Sequence, residues 1–409
     1  MSNFEVYELN EQSVSLNYSG GEIKVKESNH ERGFGIRAIK NGKIGFSYTQ
    51  EELKIKDCVK KAENSSKYGV NSSFKFAQNN STICRDIVDS KIENSDDLED
   101  LEGILKQIVD NIERSGANAR VVASEGIEKM KIENSNGLNK SYAKTYHSIY
   151  TEAMDGSGMG FSYNGSIKRD TDPDRISALA IDMAKQMKKA KKVESGDYRV
   201  VISPQAIETL LEVLLPSFSG EWLRKGITKV KLGNKFSDRI SIYDNPKCGL
   251  IGDRPIDDEG VSTEKIPLIE KGIVKSFLFD RETASLANMK MDGSCSRAGY
   301  DTSPTIGHTN LEVGKGEVNT IDEFGDYVEI ISMHGSHTSN ATSGDFGMEV
   351  NIARHVTKGG RETIPIRGFI MSGNIFNLLN QIEAIEKEQV RYANVLAPRI
   401  AFDKIRLIS

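Results

Sequence analysis

Three short stretches of this 409-residue chain carry residue types that could do chemistry. In SMHGSHTSN, His334 and His337 stand three apart, and their imidazoles could ligate a metal together with Asp345 or another carboxylate. That spacing puts two side chains on opposite faces of a strand, so shared coordination requires a turn, which Gly335 could supply. In IDDEGVST, the acids Asp257, Asp258 and Glu259 precede Gly260. Paired carboxylates can serve as general acid and base when burial separates their pKa values. An acidic turn between two strands explains the same residues with less. The third stretch, LLEVLLPSFSGEWLRKG, places Glu212 among Leu210, Leu211, Val213, Leu214 and Leu215, just ahead of Pro216. Such a glutamate is either the remnant of a catalytic helix or a solvated position on a packing helix.

The elements that would position these residues follow from periodicity and turn chemistry. Alternation predicts strands over 13–19 and 22–28 and a hairpin over 34–48 that turns at Asn41-Gly42. A helix is expected next, because Thr49 and Glu52 have capping-box spacing and Leu53, Ile55, Val59 and Ala62 make a stripe. Another helix is expected from about Asp96 to Ser115, with Leu98, Leu101, Leu105, Ile108 and Ile112 on one face and Gly116 as its stop. Strands follow at 119–124, 127–133 and 141–153. Asp172-Pro173 then opens a helix with Ile176, Leu179, Ala180, Met183 and Met187 inward. The glycines of ERGFGIR (31–37) and DGSGMG (155–160) do not lead from a strand into a helix that could hold a phosphate, so they predict glycine-relieved strands and turns.

Beyond the charged stretch KKAKKVESGD (188–197), taken as the domain boundary, one helix over 204–215 is followed by a strand-rich half. A hairpin over 266–280 bends at Lys271-Gly272, residues 327–334 pair with a strand near 348–356, and IPIRGFIMSG leads into a final helix from Asn374 to Ile385. The fold expected is α+β in two domains, an N-terminal mixed α/β domain over 1–193 and a strand-rich C-terminal domain over 194–409.

Composition narrows the function classes. A formal net charge of -5 and the absence of a basic patch beyond one predicted helix end give no footprint for nucleic acid or an anionic membrane. The start MSNFEVYELN lacks a secretory pattern, and the 4 cysteines include no C-x-x-C pair that would suggest a thiolate zinc site. A cytoplasmic protein with reduced thiols is expected.

Together, ERGFGIRAIKNGKIGFSYT, IDDEGVSTEKIPLIEKGIVKSFLFDRETA, GSHTSNATSGDFGMEV and IPIRGFIMSGNIFNLL resemble the TldD/TldE family, also called the PmbA or "modulator of DNA gyrase" family. The resemblance spans nearly the whole chain in the family's order. It implies pairing between a TldD-like zinc metallopeptidase subunit, with a His-Glu-x-x-x-His helix and a later cysteine, and a TldE-like subunit of the same fold without those ligands. Matching LRKG (223–226) to the family's basic-Gly stretch puts Glu212 on the catalytic glutamate, Leu211 and Pro216 on the two histidines, and the cysteine near Val350. Leucine, proline and valine have no lone pair for zinc, and no histidine lies between 147 and 308 to restore the motif in another register.

The resemblance therefore implies a TldE/PmbA-like, non-catalytic subunit that holds no cofactor itself. Zinc would sit in a TldD-like partner, the pair would be a heterodimer, and the substrate would be an unfolded or small peptide. Asp257, Asp258, Glu259, His337 and Asp345 are its candidate chamber-lining residues. Two alternatives stand beside it: a homodimeric peptide-binding or scaffold protein, and a self-sufficient metal hydrolase that uses His334 and His337.

Overall fold

The computed structural model describes residues 3–72, 74–78, 84–93, 98–357 and 362–409. Asp96, where the second helix was expected to start, lies outside them.

Long alternating segments build one antiparallel sheet of six strands, in the order Lys43–Thr49, Glu22–Lys40, Asn3–Ser19, Asn118–Asn134, Asn139–Asp155 and Gly158–Ser166. The expected strands at 119–124 and 127–133 are one continuous strand, Asn118–Asn134. Asn41 and Gly42 take the positive φ values, 52° and 72°, that the tight hairpin demands.

Cross-strand register divides the apolar residues between two faces. On one face Leu16, Val121, Ala123 and Ile149 pack against Leu101, Leu105, Ile108 and Ile112 of the helix Glu99–Arg114, and against Ile176 and Ala180 of the helix Pro173–Met187. On that same face Val6, Phe34 and Ile36 cover Cys58 and Ala62 of the helix Ile55–Ser65. The opposite face carries Tyr7, Met130, Ile132 and Tyr142, which pack against Ile256 and Tyr300 from the second half of the chain.

That second half forms a mixed sheet of eleven strands that runs from Gly196–Ile202 to Val395–Ile408. The helix Pro204–Leu214 buries Ile207, Leu210, Leu211 and Leu214 in the same core as Val200, Ile330, Met348 and Val350. Among the described residues no helix is long and apolar enough to cross a membrane.

Three expectations need correction. Thr49 does not cap a helix: its hydroxyl accepts from the Glu51 N–H, a 3₁₀ turn Glu52–Lys54 intervenes, and Leu53 is 97% exposed. Leu179 is 52% exposed, because Ala180 and Ala184 are the positions that face the sheet. The final helix is only Ile375–Leu378, and Ile382–Tyr392 is a strand. Ile382, Ala384, Ile385 and Glu386 are all buried there, and a strand covered on both faces shows no alternation that would separate it from a helix.

The glycine-rich stretches do sit in strands. At Gly158 and Gly160 a Cβ would lie 2.1 Å from the backbone oxygens of Ala184 and Ala180, so these glycines let the helix Pro173–Met187 touch the sheet edge. Gly160→Ala should cost about 1–3 kcal/mol of stability through overpacking. Gly103→Ala, on an exposed helix position with no atom nearby, should gain about 0.5–1 kcal/mol. Chemical denaturation of the two variants checks the contrast in sign.

Candidate functional site

Pro204 at the first position of the helix Pro204–Leu214 fixes where that helix starts, and the helical period then sends neighbouring side chains to different places. Leu211 enters the core with Leu214, Phe218, Ile242, Leu268 and Leu311. Glu212 is exposed and accepts a hydrogen bond from the Ser336 hydroxyl at 2.6 Å. Pro216 lies in the 3₁₀ turn Leu215–Phe218, and Val350 is fully buried in the strand Asp345–Thr357. Only one of these four positions carries a side-chain donor atom, so they do not fit a zinc ion. One helical turn before Glu212, burial and then the charge of Glu212 push the Glu208 carboxyl up to about 7.

His334 and His337 line one depression of about 490 Å³ with Glu349, Ile370 and Ile408. Gly335, with φ of 110°, supplies the turn between them. His334 Nδ1 is 2.6 Å from Asn351 Oδ1 and its Nε2 is 3.4 Å from Glu349 Oε2. Asp345 does not join them: it accepts from the Asn374 amide at 2.8 Å and the Ser343 hydroxyl at 2.6 Å.

The three acids of IDDEGVST form a turn, but a buried one: Asp257, Asp258 and Glu259 are 1%, 7% and 2% exposed, so they line no open wall of this chain. Asp257 Oδ1 closes the turn by accepting from the Glu259 and Val261 amides at 3.0 and 2.8 Å. Glu259 reaches the first sheet, where it accepts from Arg37 Nη1 at 2.7 Å; its other oxygen accepts from the Arg281 amide at 2.8 Å. Arg37 also donates to Glu5 at 2.7 Å, and so does Arg297 at 3.1 Å, while the Arg297 amide donates to Asp258 at 2.7 Å. Arg254 is 3.8 Å from Asp258. Four buried carboxyl groups thus face three guanidiniums and the buried ammonium of Lys140, which donates to the Gly260 carbonyl at 3.3 Å. Burying a carboxylate is costly, and a proton removes its charge. Burial, then the charge of Glu259, push the Asp257 carboxyl up to about 8, so Asp257 carries that proton at neutral pH.

Ligand atoms of Asp257, Glu259 and Cys295 lie within 4.8 Å of one another, a spacing a metal ion could bridge. Both Glu259 oxygens already accept hydrogen bonds, Asp257 is protonated, and burial followed by the charge of Glu259 raises the Cys295 thiol above its ordinary value. The Arg37 guanidinium fills the cationic role, so the cluster fits a clamp between the two halves better than a metal centre.

Sequence reasoning did not find Arg37, Arg297 and Glu5, which come together only through the tertiary fold. It also missed the cleft beside the helix Pro173–Met187. There, cavities of about 610 and 650 Å³ share Leu179, Pro204, Gln205, Glu388 and Val390. The strand Ile382–Tyr392 pairs with Val395–Ile408 along one edge, and residues 385–387 bond residues 316–318 along the other. Beyond Lys387 the outer edge has no strand partner among the described residues.

The proton on Asp257 makes stability depend on pH. A carboxyl raised from 3.8 to about 8 by folding contributes stability that is complete below about pH 4 and is lost as pH rises through 8. Asp257→Asn mimics the protonated form at every pH. Its stability relative to the native chain should therefore climb by about 1–3 kcal/mol between pH 5 and 9. Urea unfolding at the two pH values reads this directly, and a constant difference would remove the assignment.

Comparison with known proteins places these features. Residues 195–409 match the family model of the PmbA/TldA metallopeptidase C-terminal domain, residues 4–66 that of domain 1 and residues 87–191 that of the central domain. An uncharacterised protein of Methanocaldococcus jannaschii is 29% identical, over 97% of this chain and 94% of its own. A metalloprotease of Methanothermobacter thermautotrophicus is 22% identical over 91% and 85%. The crystal structure of TldE from Thermococcus kodakarensis shares the fold, with a TM-score of 0.87 at 23% identity over 100% and 97% of the two chains. The chain belongs to the PmbA/TldA metallopeptidase family, the TldD/TldE family that its sequence resembles.

Proposed function

We propose that this chain is a TldE/PmbA-type subunit, without zinc chemistry of its own, that pairs with a TldD-like subunit carrying the His-Glu-x-x-x-His helix and helps to hold peptide for it. The observation that supports this reading is the fate of the degenerate zinc positions: Leu211 and Val350 are core residues and Pro216 sits in a turn. Glu212 survives without a metal that could polarise its water. Zinc belongs to the partner in this reading, and the chain works in the cytoplasm as half of a heterodimer.

The free edge of the strand Ile382–Tyr392 suits an extended peptide, which could add to it through main-chain hydrogen bonds with little demand on sequence. Leu179 and Val390, 52% and 43% exposed, give the cleft apolar contact for such a segment. Folded proteins would be excluded because their strands are already paired.

Metal analysis of the pure chain, before and after mixing with a TldD-like partner, tests the subunit reading with cleavage of an unfolded peptide followed in parallel. No metal alone, with zinc and cleavage in the mixture, is the expected result. Stoichiometric zinc and cleavage by this chain alone would overturn it and direct mutation to His334 and His337. For the cleft, Val390→Asp and Leu179→Asp should each weaken peptide binding about tenfold, equivalent to about 1.4 kcal/mol of lost apolar contact. Fluorescence anisotropy with a labelled unfolded peptide measures it.

A further inference from the structure

A second constellation lies on the helix-covered side of the first sheet. His147, in the strand Asn139–Asp155, is fully buried and stands directly across from Glu125 in the neighbouring strand. Its Nδ1 is 3.2 Å from Glu125 Oε2, and its Nε2 is 2.9 Å from the Thr171 hydroxyl oxygen. Arg169 fixes the carboxylate with two hydrogen bonds, from Nε at 3.0 Å and from Nη2 at 2.6 Å. Because Glu125 is an acceptor only, Nδ1 carries the imidazole proton, and Nε2 is left to accept from the Thr171 hydroxyl. Asn164 donates to the same hydroxyl oxygen at 2.7 Å, and one lone pair remains free.

This chain of bonds ends in open space. Thr171 is half-buried and lines the cavity of about 650 Å³ together with Asn164 and Arg175. Arg175, exposed at the same cavity, makes no ion pair among the described residues. A purely structural tie between the loop before the helix Pro173–Met187 and the sheet would need the hydrogen bonds, but not a threonine at the wall of a cavity.

We propose that Thr171, His147 and Glu125 form a hydroxyl nucleophile, its general base and the carboxylate that positions that base, and that they act on carboxylic esters bound in the cleft. The arrangement matches the geometric rule for an activated hydroxyl, with nucleophile and base in hydrogen-bond reach and the base oriented by a third group. Thr171 Oγ attacks the carbonyl carbon and its proton passes to His147 Nε2. The carbonyl electrons move to the oxygen, and Arg175 at the cavity wall supplies the cation that the mechanism needs to balance it. Collapse breaks the bond to the alkoxide, which leaves as the alcohol with the proton from His147. Water, deprotonated by His147, then attacks the acyl-threonine, releases the acid and restores the hydroxyl. An ester suits the site better than an amide, because its carbonyl is the more electrophilic and the branched threonine is a crowded nucleophile. This activity is independent of zinc and of any partner subunit.

Treating the pure full-length chain with a fluorophosphonate, followed by intact mass and peptide mapping, tests the proposal. Displacement of fluoride by Thr171 should leave one adduct on that residue, retained in Thr171→Ser and absent in Thr171→Val. Hydrolysis of p-nitrophenyl acetate should fall about 100-fold in Thr171→Val, the scale of a lost general-base-assisted nucleophile. Labelling should slow in Glu125→Gln, with partial rescue in Glu125→Asp. Thermal melting of each variant confirms that it is folded. No adduct on the native chain, an adduct at another residue, or an unchanged adduct in Thr171→Val would overturn it.

Discussion

The buried ion network around Arg37 is the interaction on which the two halves depend. Arg37 arises from the sheet of the first half and joins Glu5 beside it to Glu259 from the second, while Phe74 and Phe76 lie against the guanidinium at 5.5 and 5.4 Å. Glu5 Oε2, Arg254 Nε and Arg254 Nη2 are buried without a hydrogen-bond partner, so the contacts that are made, those of Arg37 and Glu259 above all, tolerate little change of register in either half. It fixes where the turn of IDDEGVST sits, and through it the segment that carries Ile256 and Tyr300 onto the sheet. Such a clamp confers specificity of docking more than net stability, since the desolvation of its charged groups consumes most of the attraction.

Much of this architecture was legible in the sequence. The helices beginning at Asp172 and Pro204, the hairpins at Asn41-Gly42 and Lys271-Gly272, and the α+β division all follow from local signals that tertiary packing reinforced. Failures came where local pattern and burial part company. Leu53 and Leu179 fit a helical stripe by spacing, but only packing decides which side of a stripe is covered. The run from Leu378 to Ile385 has helical spacing, yet the helix ends at Leu378 and a strand begins at Ile382, with both faces buried.

The sites show the same division more sharply. That Leu211, Pro216 and Val350 cannot hold zinc is a statement about side-chain chemistry, which sequence alone carries. That Asp257, Asp258 and Glu259 are buried is not, because an acidic turn looks the same whether water or three arginines surround it. The partners Glu5, Arg37 and Arg297 are scattered over the length of the chain, and Glu125, His147 and Thr171 stand 22 and 24 residues apart, with no spacing rule to link them. Strand pairing sets Glu5 beside Arg37 and Glu125 beside His147, and loops bring in Arg297 and Thr171.

The face of the first sheet that carries Tyr7, Met130, Ile132 and Tyr142 is covered by residues from much later in the chain. On the ribosome, all six strands of that sheet emerge once Ser166 is made, yet this face stays wet until the segment around Tyr300 follows. Synthesis therefore passes through a stage in which a complete sheet presents a greasy, half-charged surface to the cell. The nascent chain must either delay closing that sheet or be shielded during the interval, and a truncated product ending near the charged stretch 188–197 would be a poor soluble fragment. What looks like a boundary between two domains is, for biosynthesis, a commitment to finish both.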